Sequence, residues 1–335
     1  MKIGTKDTTE EVFIIAEVGN NHEGSFSLAE ELVGLAAGAG ASAVKFQTII
    51  PEKLVSASQK ERIQQLKKYQ FSYSQFESLA KTAEAEGILF LSTPFDLESA
   101  AFLNSLVPAF KIASGDNNFF PLIDRVAQTG KPMILSSGLL GTEEVIIVRD
   151  FILNVWKTLG FRQDLAILHC VTSYPTPEAE ANLLAIRILE KLGVVPGYSD
   201  HTLGIEAAVL SVACGARIIE KHFTISKTHS DFHDHRLSAD PQDLAELVAR
   251  VRTAEKLLGH EQKKLLSCEE AALPKVRRSI TAARELAQGS VLGFEDLAWT
   301  RPFAGLAPGE ESKILGKRLR RGLVLGEPIQ LADVE

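Results

Sequence analysis

The stretch RIIEKH, residues 217–222, starts as a buried strand and ends on charge. Ile218 and Ile219 run directly into Glu220, Lys221 and His222 before the chain turns apolar again at Phe223. Upstream, VVPGYSD (194–200) does the same and is followed at once by His201. Strands that are apolar along their length and polar at their C-terminal ends are what a parallel barrel needs. The strand interiors fill its core, and the strand ends form the floor of a site.

Working outward from 217–222, further β-rich runs lie at VFIIAE (12–17), SAVKFQ (42–47), ILFLST (88–93), AFKIAS (109–114), PMILSS (132–137) and LAILHC (165–170). Stretches of helical period occupy 27–40, 141–160, 203–216 and 241–259, with Thr142 reading as an N-cap. Eight strands alternating with helices predict a (β/α)8 TIM barrel over residues 1–260. An open doubly wound sheet is the competing architecture, but no GxGxxG turn follows the first strand. The segment between the second and third strands is too long for one loop and predicts an excursion near the active face. Residues 261–276 are polar and charged, as a linker is. Residues 277–335 hold short β-like pieces broken by glycine, a small β-rich domain whose core stabilises only weakly.

A formal charge of −7 over 335 residues argues against a general nucleic-acid binder, which needs clustered cations. It leaves room for a small anionic substrate met by a few local cations. The three cysteines, Cys170, Cys214 and Cys268, form no CxxC and read as reduced thiols. The opening MKIGTKDTTE has no apolar core of a signal peptide, and no run approaches the ~18 apolar residues of a membrane span. A cytoplasmic protein without a membrane segment is expected.

If the barrel is right, polar residues should cluster at strand ends, and they do. In strand order these are Glu17 with Asn20 and His22; Lys45 with Gln47; Ser92 with Thr93; Lys111 with Ser114 and Asp116; Ser136 with Ser137; His169; Ser199, Asp200 and His201; and Glu220, Lys221 and His222. Lys45 and Lys111 are embedded in apolar strands, where an ammonium is costly unless paired. Either they point outward among the helices, or they face the mouth and suit a small polyanion. His201 and His222 end adjacent predicted strands, so their imidazoles can meet, as a divalent-metal pair or as two hydrogen-bonding rings. HSDFHDH (229–235) competes for the same ion but reads as a polar loop. Glu17 can act as general acid or base, or simply bind Lys45. Tyr174 lies in a proline-stiffened loop, and Asp234 either touches substrate hydroxyls or caps a turn.

The strings FIIAEVGNNHEGS, VKFQT, STPFD, FKIASGD, LHCVTSYPTP, GYSDHTLG, IEKHFT and DHRLS, in that order, resemble the sialic acid synthase family. Those enzymes condense phosphoenolpyruvate with N-acetylmannosamine or a related hexosamine. SITAARELAQGSVLGFEDLAWTRP and LGKRLRRGLVLGEPI resemble that family's small antifreeze-like (SAF) domain. The resemblance implies a catalytic set of Glu17, Lys45, Lys111 and Asp116, and substrate contacts from Gln47, Ser114, Tyr174, Ser199, Asp234 and Arg301. It implies His201 and His222 as ligands of a divalent metal, manganese first, with magnesium or cobalt as substitutes. It also implies a domain-swapped homodimer in which Arg301 reaches the other subunit's site, and N-acetylneuraminate as the product. Legionaminic, pseudaminic and spore-coat nonulosonate synthesis are the alternatives. Asp116 replaces the family's usual glutamate, and Thr172 replaces an asparagine found in several members.

Two rivals fit less well. A metal-dependent barrel hydrolase usually takes an HxH on its first strand, where this chain has AEVGNNH. A carbohydrate- or ice-binding C-terminal module would leave the polar mouth without a role.

Overall fold

In the computed structural model, which describes residues 1–335, eight parallel strands follow one another with helices between them. They are β1 (Phe13–Gly19), β2 (Ala43–Thr48), β3 (Leu89–Pro94), β4 (Phe110–Ile112), β5 (Met133–Ser136), β6 (Leu165–Cys170), β7 (Val195–Asp200) and β8 (Ile218–His222). The hydrogen-bonded order is β3–β2–β1–β8–β7–β6–β5–β4, so the first and last strands pair and the sheet curls round. The seam lies between β3 and β4, which are neighbours without a regular ladder. This is the expected TIM barrel, nearly closed.

The helices are α1 (Phe26–Gly38), α2 (Lys60–Lys67), α3 (Tyr73–Ala85), α4 (Leu97–Leu103), α5 (Phe120–Ala127), α6 (Thr142–Leu159), α7 (Ile186–Lys191), α8 (Glu206–Ala213) and α9 (Pro241–Leu258). Helix α6 begins one residue away from its expected cap. Gly141 is the N-cap and the Glu144 carboxylate closes onto the Gly141 N–H at 2.6 Å, which makes Thr142 the first helical residue. Helix α2 and a preceding turn at Pro51–Leu54 form the predicted excursion.

Strand parity divides the apolar residues into two cores. Ile14, Ala16, Val44, Phe46, Phe90, Phe110, Ile112, Leu135 and Ile167 face the helices. Phe13, Ile15, Ala43, Leu91, Ala109, Ile134, Ala166, Leu168 and Ile218 face inward and fill the barrel, with Met1 and Ile3 of a short N-terminal hairpin packed among them. Because the period is two, the next inward positions towards the C-terminal ends are fixed by the same parity: Glu17, Lys45, Thr93, Lys111, Ser136, Cys170, Ser199 and Glu220. The core thus hands over to chemistry within one pleat.

The chain divides into two compact units, Met1–Gly259 and His260–Glu335. In the second, two short helices (Ser267–Glu270 and Leu273–Val276) occupy the polar stretch before a two-stranded antiparallel sheet, β9 (Ser279–Ala282) with β10 (Leu297–Thr300). Its core is its own: Ile280, Leu286, Leu292, Leu297, Ile314, Leu319, Leu323 and Ile329. No helix of the structure is long and apolar enough to cross a membrane.

Candidate active site

A cavity of about 440 Å³ opens at the C-terminal ends of the strands, lined at its floor by the inward positions just named. Four ionisable side chains meet there. Lys45 Nζ lies 2.6 Å from Glu17 Oε2 and 3.5 Å from Glu220 Oε2. Lys111 Nζ lies 3.5 Å from Glu220 Oε1 and donates to Ser136 Oγ (2.7 Å) and the Ile112 carbonyl (3.1 Å). All four are buried, so neither lysine sits outside among the helices. Two ammonium groups and two carboxylates balance the floor's charge, which is how a barrel tolerates them.

The two carboxylates are not equivalent. Burial pushes Glu17 above the ordinary range, and Lys45 offsets this only in part, with Glu220 adding to the upward push. Glu220 is equally buried, but Lys111, Lys45 and the Ser199 hydroxyl (3.0 Å) hold it down at about 2. Glu220 is therefore the fixed counter-charge of both lysines, and Glu17 is the carboxyl nearer to exchanging a proton. Gln47 Nε2 donates to Glu17 Oε1 at 2.9 Å, and Asn20 Nδ2 to Gln47 Oε1 at 3.3 Å. A register shift at the end of β1, with Gly19 at φ +56°, ends the strand there; a Cβ on Gly19 would stand 3.3 Å from both Gln47 and Glu17.

His201 and His222 meet, as their strand positions predict, with ring centroids 5.4 Å apart. His201 Nδ1 lies 2.8 Å from the Val171 carbonyl, which can only accept, so Nδ1 carries a proton. His222 is held neutral: burial, then His201 and Lys45, push it well below the usual imidazole value. Its Nδ1 is buried without a hydrogen-bond partner. Burial pushes His201 down, but Cys170 and the Val171 carbonyl outweigh it, so His201 stands above the usual imidazole value. With its Nε2 deprotonated, it and the neutral His222 would fit a divalent transition metal. No cluster of three or more His, Cys, Asp or Glu joins them, so water and substrate oxygens would complete the ligand set.

Tyr174 stacks obliquely on His201, with centroids 4.1 Å apart, and Ser114, Ser199 and Asp234 also line the cavity. Asp116 does not. It sits on a 3-10 turn (Ser114–Asp116) beyond β4, outside the cavity lining, where burial alone raises it to about 6. The expected strand ended at 114, but the chain turns at Ile112, and that turn carries Asp116 away. Arg301 belongs to the second unit, just after β10.

Parity also corrects the inventory of strand-end polar residues. His169 faces outward, bonding the Ala181 carbonyl at 2.9 Å, and Cys170 takes the inward place. Asp200 and Lys221 face outward and pair with each other at 2.9 Å, with Thr202 and Tyr198 completing the bonds to Asp200. Ser92 bonds Thr48 outside the barrel, leaving Thr93 to donate nothing but accept from Lys45 at 3.2 Å. His22 is buried against Phe71 (4.2 Å between ring centroids), away from the cavity. Arg62, Gln65, Tyr69 and Phe232 line the mouth and had no signal beyond the expected excursion and loop.

Known proteins resemble this chain over most of its length. The NeuB family model matches residues 32–263, and the SAF domain model matches 277–335. The chain is 38% identical to N,N'-diacetyllegionaminic acid synthase of Legionella pneumophila, over 96% of this chain and 94% of that protein. It is 34% identical to human N-acetylneuraminate-9-phosphate synthase, over 85% and 82%. The crystal structure of the sialic acid synthetase of Leptospira borgpetersenii, in complex with citrate, superposes with a TM-score of 0.74 at 35% identity, over 81% of this chain and 94% of that one. The chain belongs to the NeuB family, enzymes of the N-acetylneuraminate synthase type, and carries a SAF domain after its barrel.

Proposed function

We propose that this enzyme condenses phosphoenolpyruvate with the open-chain aldehyde of an N-acetylated hexose, giving a nonulosonic acid and phosphate. The observation that carries it is one cavity holding two buried lysines at its floor and two histidines whose rings meet beside them. Lys45 and Lys111 suit the carboxylate and phosphate of phosphoenolpyruvate, with Ser114, Ser199 and Tyr174 as further contacts. His201 and His222 would hold a divalent ion, most simply Mn²⁺, with Mg²⁺ or Co²⁺ as substitutes. When bound, that ion supplies Lewis-acid polarisation of the aldehyde.

Carbon 3 of phosphoenolpyruvate forms the new C–C bond to the aldehyde carbon, and the aldehyde oxygen takes up a proton. Water adds at C2 and gives up a proton, for which Glu17 is the acceptor at the floor. The C2–O bond to phosphate then breaks, leaving the keto acid. Lys45 and Lys111 meet the negative charge that shifts onto the departing phosphate. Gln47 orients Glu17, and Asp234 faces the sugar. N-acetylmannosamine is the acceptor the family resemblance favours, and the Legionella relative supports a diacetamido sugar as the alternative.

Phosphoenolpyruvate labelled with ¹⁸O in its bridging position tests this. With Mn²⁺ and a competent acceptor, the label should appear in the released phosphate, and His222→Ala should release none. Label retained in the organic product overturns the C–O cleavage.

A further inference from the structure

Behind the two histidines, on the outer wall of the barrel, lies an ion pair that the chemistry above does not use. Asp200 and Lys221 are both 1% exposed, and neither lines the cavity. Lys221 shares its face of β8 with Ile219 and Phe223 of the helix-facing core, so the strand's period favours an apolar side chain there. A buried ion pair is often no more stabilising than apolar residues of the same size, and its best-attested use is to fix register. Here there is a register to fix. The β7–β8 ladder ends with Asp200 and Lys221 as partners, and His201 and His222 lie one residue beyond it, past the last backbone pairing of the two strands.

We infer that the Asp200–Lys221 pair is a clip that sets the spacing of His201 and His222, which makes both its members positioning residues. The inference rests on the metal reading of the histidine pair proposed above. Lys221 Nζ meets Asp200 Oδ2 at 2.9 Å and also donates to the Thr202 carbonyl. Asp200 Oδ1 accepts the Thr202 N–H and hydroxyl, both at 2.8 Å, and the Tyr198 hydroxyl at 3.2 Å. Thr202 is therefore held at its N–H, its hydroxyl and its carbonyl. His201 lies between two residues tied to one ammonium, and that ammonium belongs to the neighbour of His222. The histidine carbonyls are held separately, by the Thr176 N–H at 2.9 Å and the Ala239 N–H at 2.7 Å. Those bonds anchor each histidine to its own loop, whereas the clip ties one strand end to the other. Two imidazoles that share an ion must keep their geometry within about 0.5 Å, and with so few protein ligands the support behind them decides it.

The test strips the full-length chain of metal and titrates Mn²⁺ by calorimetry without substrate, beside a urea titration and the affinity for phosphoenolpyruvate. The double variant Asp200→Asn/Lys221→Met leaves no uncompensated charge, so its urea midpoint should stay close to that of the wild type. It should bind Mn²⁺ about tenfold or more weakly, the scale for residues that hold metal ligands in place. Phosphoenolpyruvate should bind within about threefold of the wild type, because Lys45 and Lys111 stand on β2 and β4, away from the clip. A folded double variant with wild-type Mn²⁺ affinity overturns the inference and leaves the metal reading standing. So does an equal loss for Mn²⁺ and phosphoenolpyruvate, which would make the pair a brace of the whole barrel. Should the double variant not fold, Asp200→Glu takes its place, since it keeps the charges balanced and lengthens the arm by one carbon. It should weaken Mn²⁺ binding about threefold or more, and unchanged binding overturns the inference. No Mn²⁺ binding by the wild type, or binding that His222→Ala leaves at full strength, overturns the metal reading and the inference with it.

Discussion

Glu17 and Glu220 show how much one neighbour decides. Both are buried carboxyls in the same floor, but Glu220 answers to two ammonium groups and a hydroxyl, Glu17 to one ammonium and an amide. Removing the shared counter-charge by Glu220→Gln leaves two lysines facing one carboxylate. The free protein should lose about 3–5 kcal/mol, the usual cost of an uncompensated buried charge. An anionic ligand then has more to offer, so phosphoenolpyruvate should raise the thermal midpoint of the variant by more than it raises the wild type. An equal or smaller rise would show that Glu220 is not the counter-charge. Glu17→Gln keeps the shape and the contact to Gln47 but cannot accept a proton. It should bind phosphoenolpyruvate within about threefold of the wild type and lose 10²-fold or more in turnover. Calorimetry beside a phosphate-release assay separates the two effects.

His22 gives the pH dependence a definite window. Burial against Phe71 lowers it to about 4, and its Nδ1 accepts the Gly24 N–H at 3.0 Å, which a protonated ring cannot do. A lowered folded value means the unfolded chain takes a proton first. The stability His22 holds is complete above pH 6.5 and is lost as pH falls towards 4, by about 3 kcal/mol. Denaturant titrations at pH 7.5 and pH 4.5 should show less of this loss in His22→Phe. At this scale the sequence was informative about which residue types lie at the strand ends. It was silent on which of two adjacent polar residues turns inward, as His169 against Cys170 and Ser92 against Thr93 show. That choice depends on register, and register needs the neighbouring strand.

Each strand is a short ruler, and its usefulness ends where its pairing ends. β1, β2, β6, β7 and β8 lie within about two residues of their expected limits, because apolar runs bounded by turns mark buried strands well. β4 fails at its C-terminal end: three residues pair, the chain turns, and Asp116 leaves the site with it. The mouth was not legible because α2 and the 226–238 loop carry no pattern tied to the barrel's period. β7 supplies a sharper test of the packing. A Cβ at Gly197 would stand 2.2 Å from Leu168 Cδ2 and 2.7 Å from the Ile218 carbonyl, contacts no real Cβ makes. The Leu168 methyl ends a flexible side chain and can turn aside, but the Ile218 carbonyl is backbone of β8 and cannot give way without shifting the strand that carries Glu220 and His222. Gly197→Ala should cost about 3 kcal/mol by overpacking, read in urea, and, if His201 and His222 hold the proposed divalent ion, should weaken its binding by displacing His222. A stable variant with unchanged metal affinity would contradict the tight β6–β7–β8 packing.

The whole molecule joins a barrel with its own core to a second unit with its own core, and the family models divide the chain the same way. The two should therefore unfold in separable transitions in calorimetry. Arg301 tests whether the second unit serves the first. It lies after β10, outside that unit's buried core, so Arg301→Ala should leave the thermal midpoints within about a degree, as surface substitutions usually do. If the family resemblance holds for its role, the arginine meets substrate in the site of another subunit, and the variant should lose 10²-fold or more in kcat/KM. Mixing it with a Glu17→Gln chain then sharpens the prediction. Each variant is nearly inactive alone, but a mixed dimer pairs a barrel that has Glu17 with an Arg301 from the partner chain. Recovery of up to about a quarter of the wild-type rate, half the dimers mixed and one of two sites intact, requires the arginine to act across subunits. Absence of recovery, in dimers shown to exchange, places it within one chain.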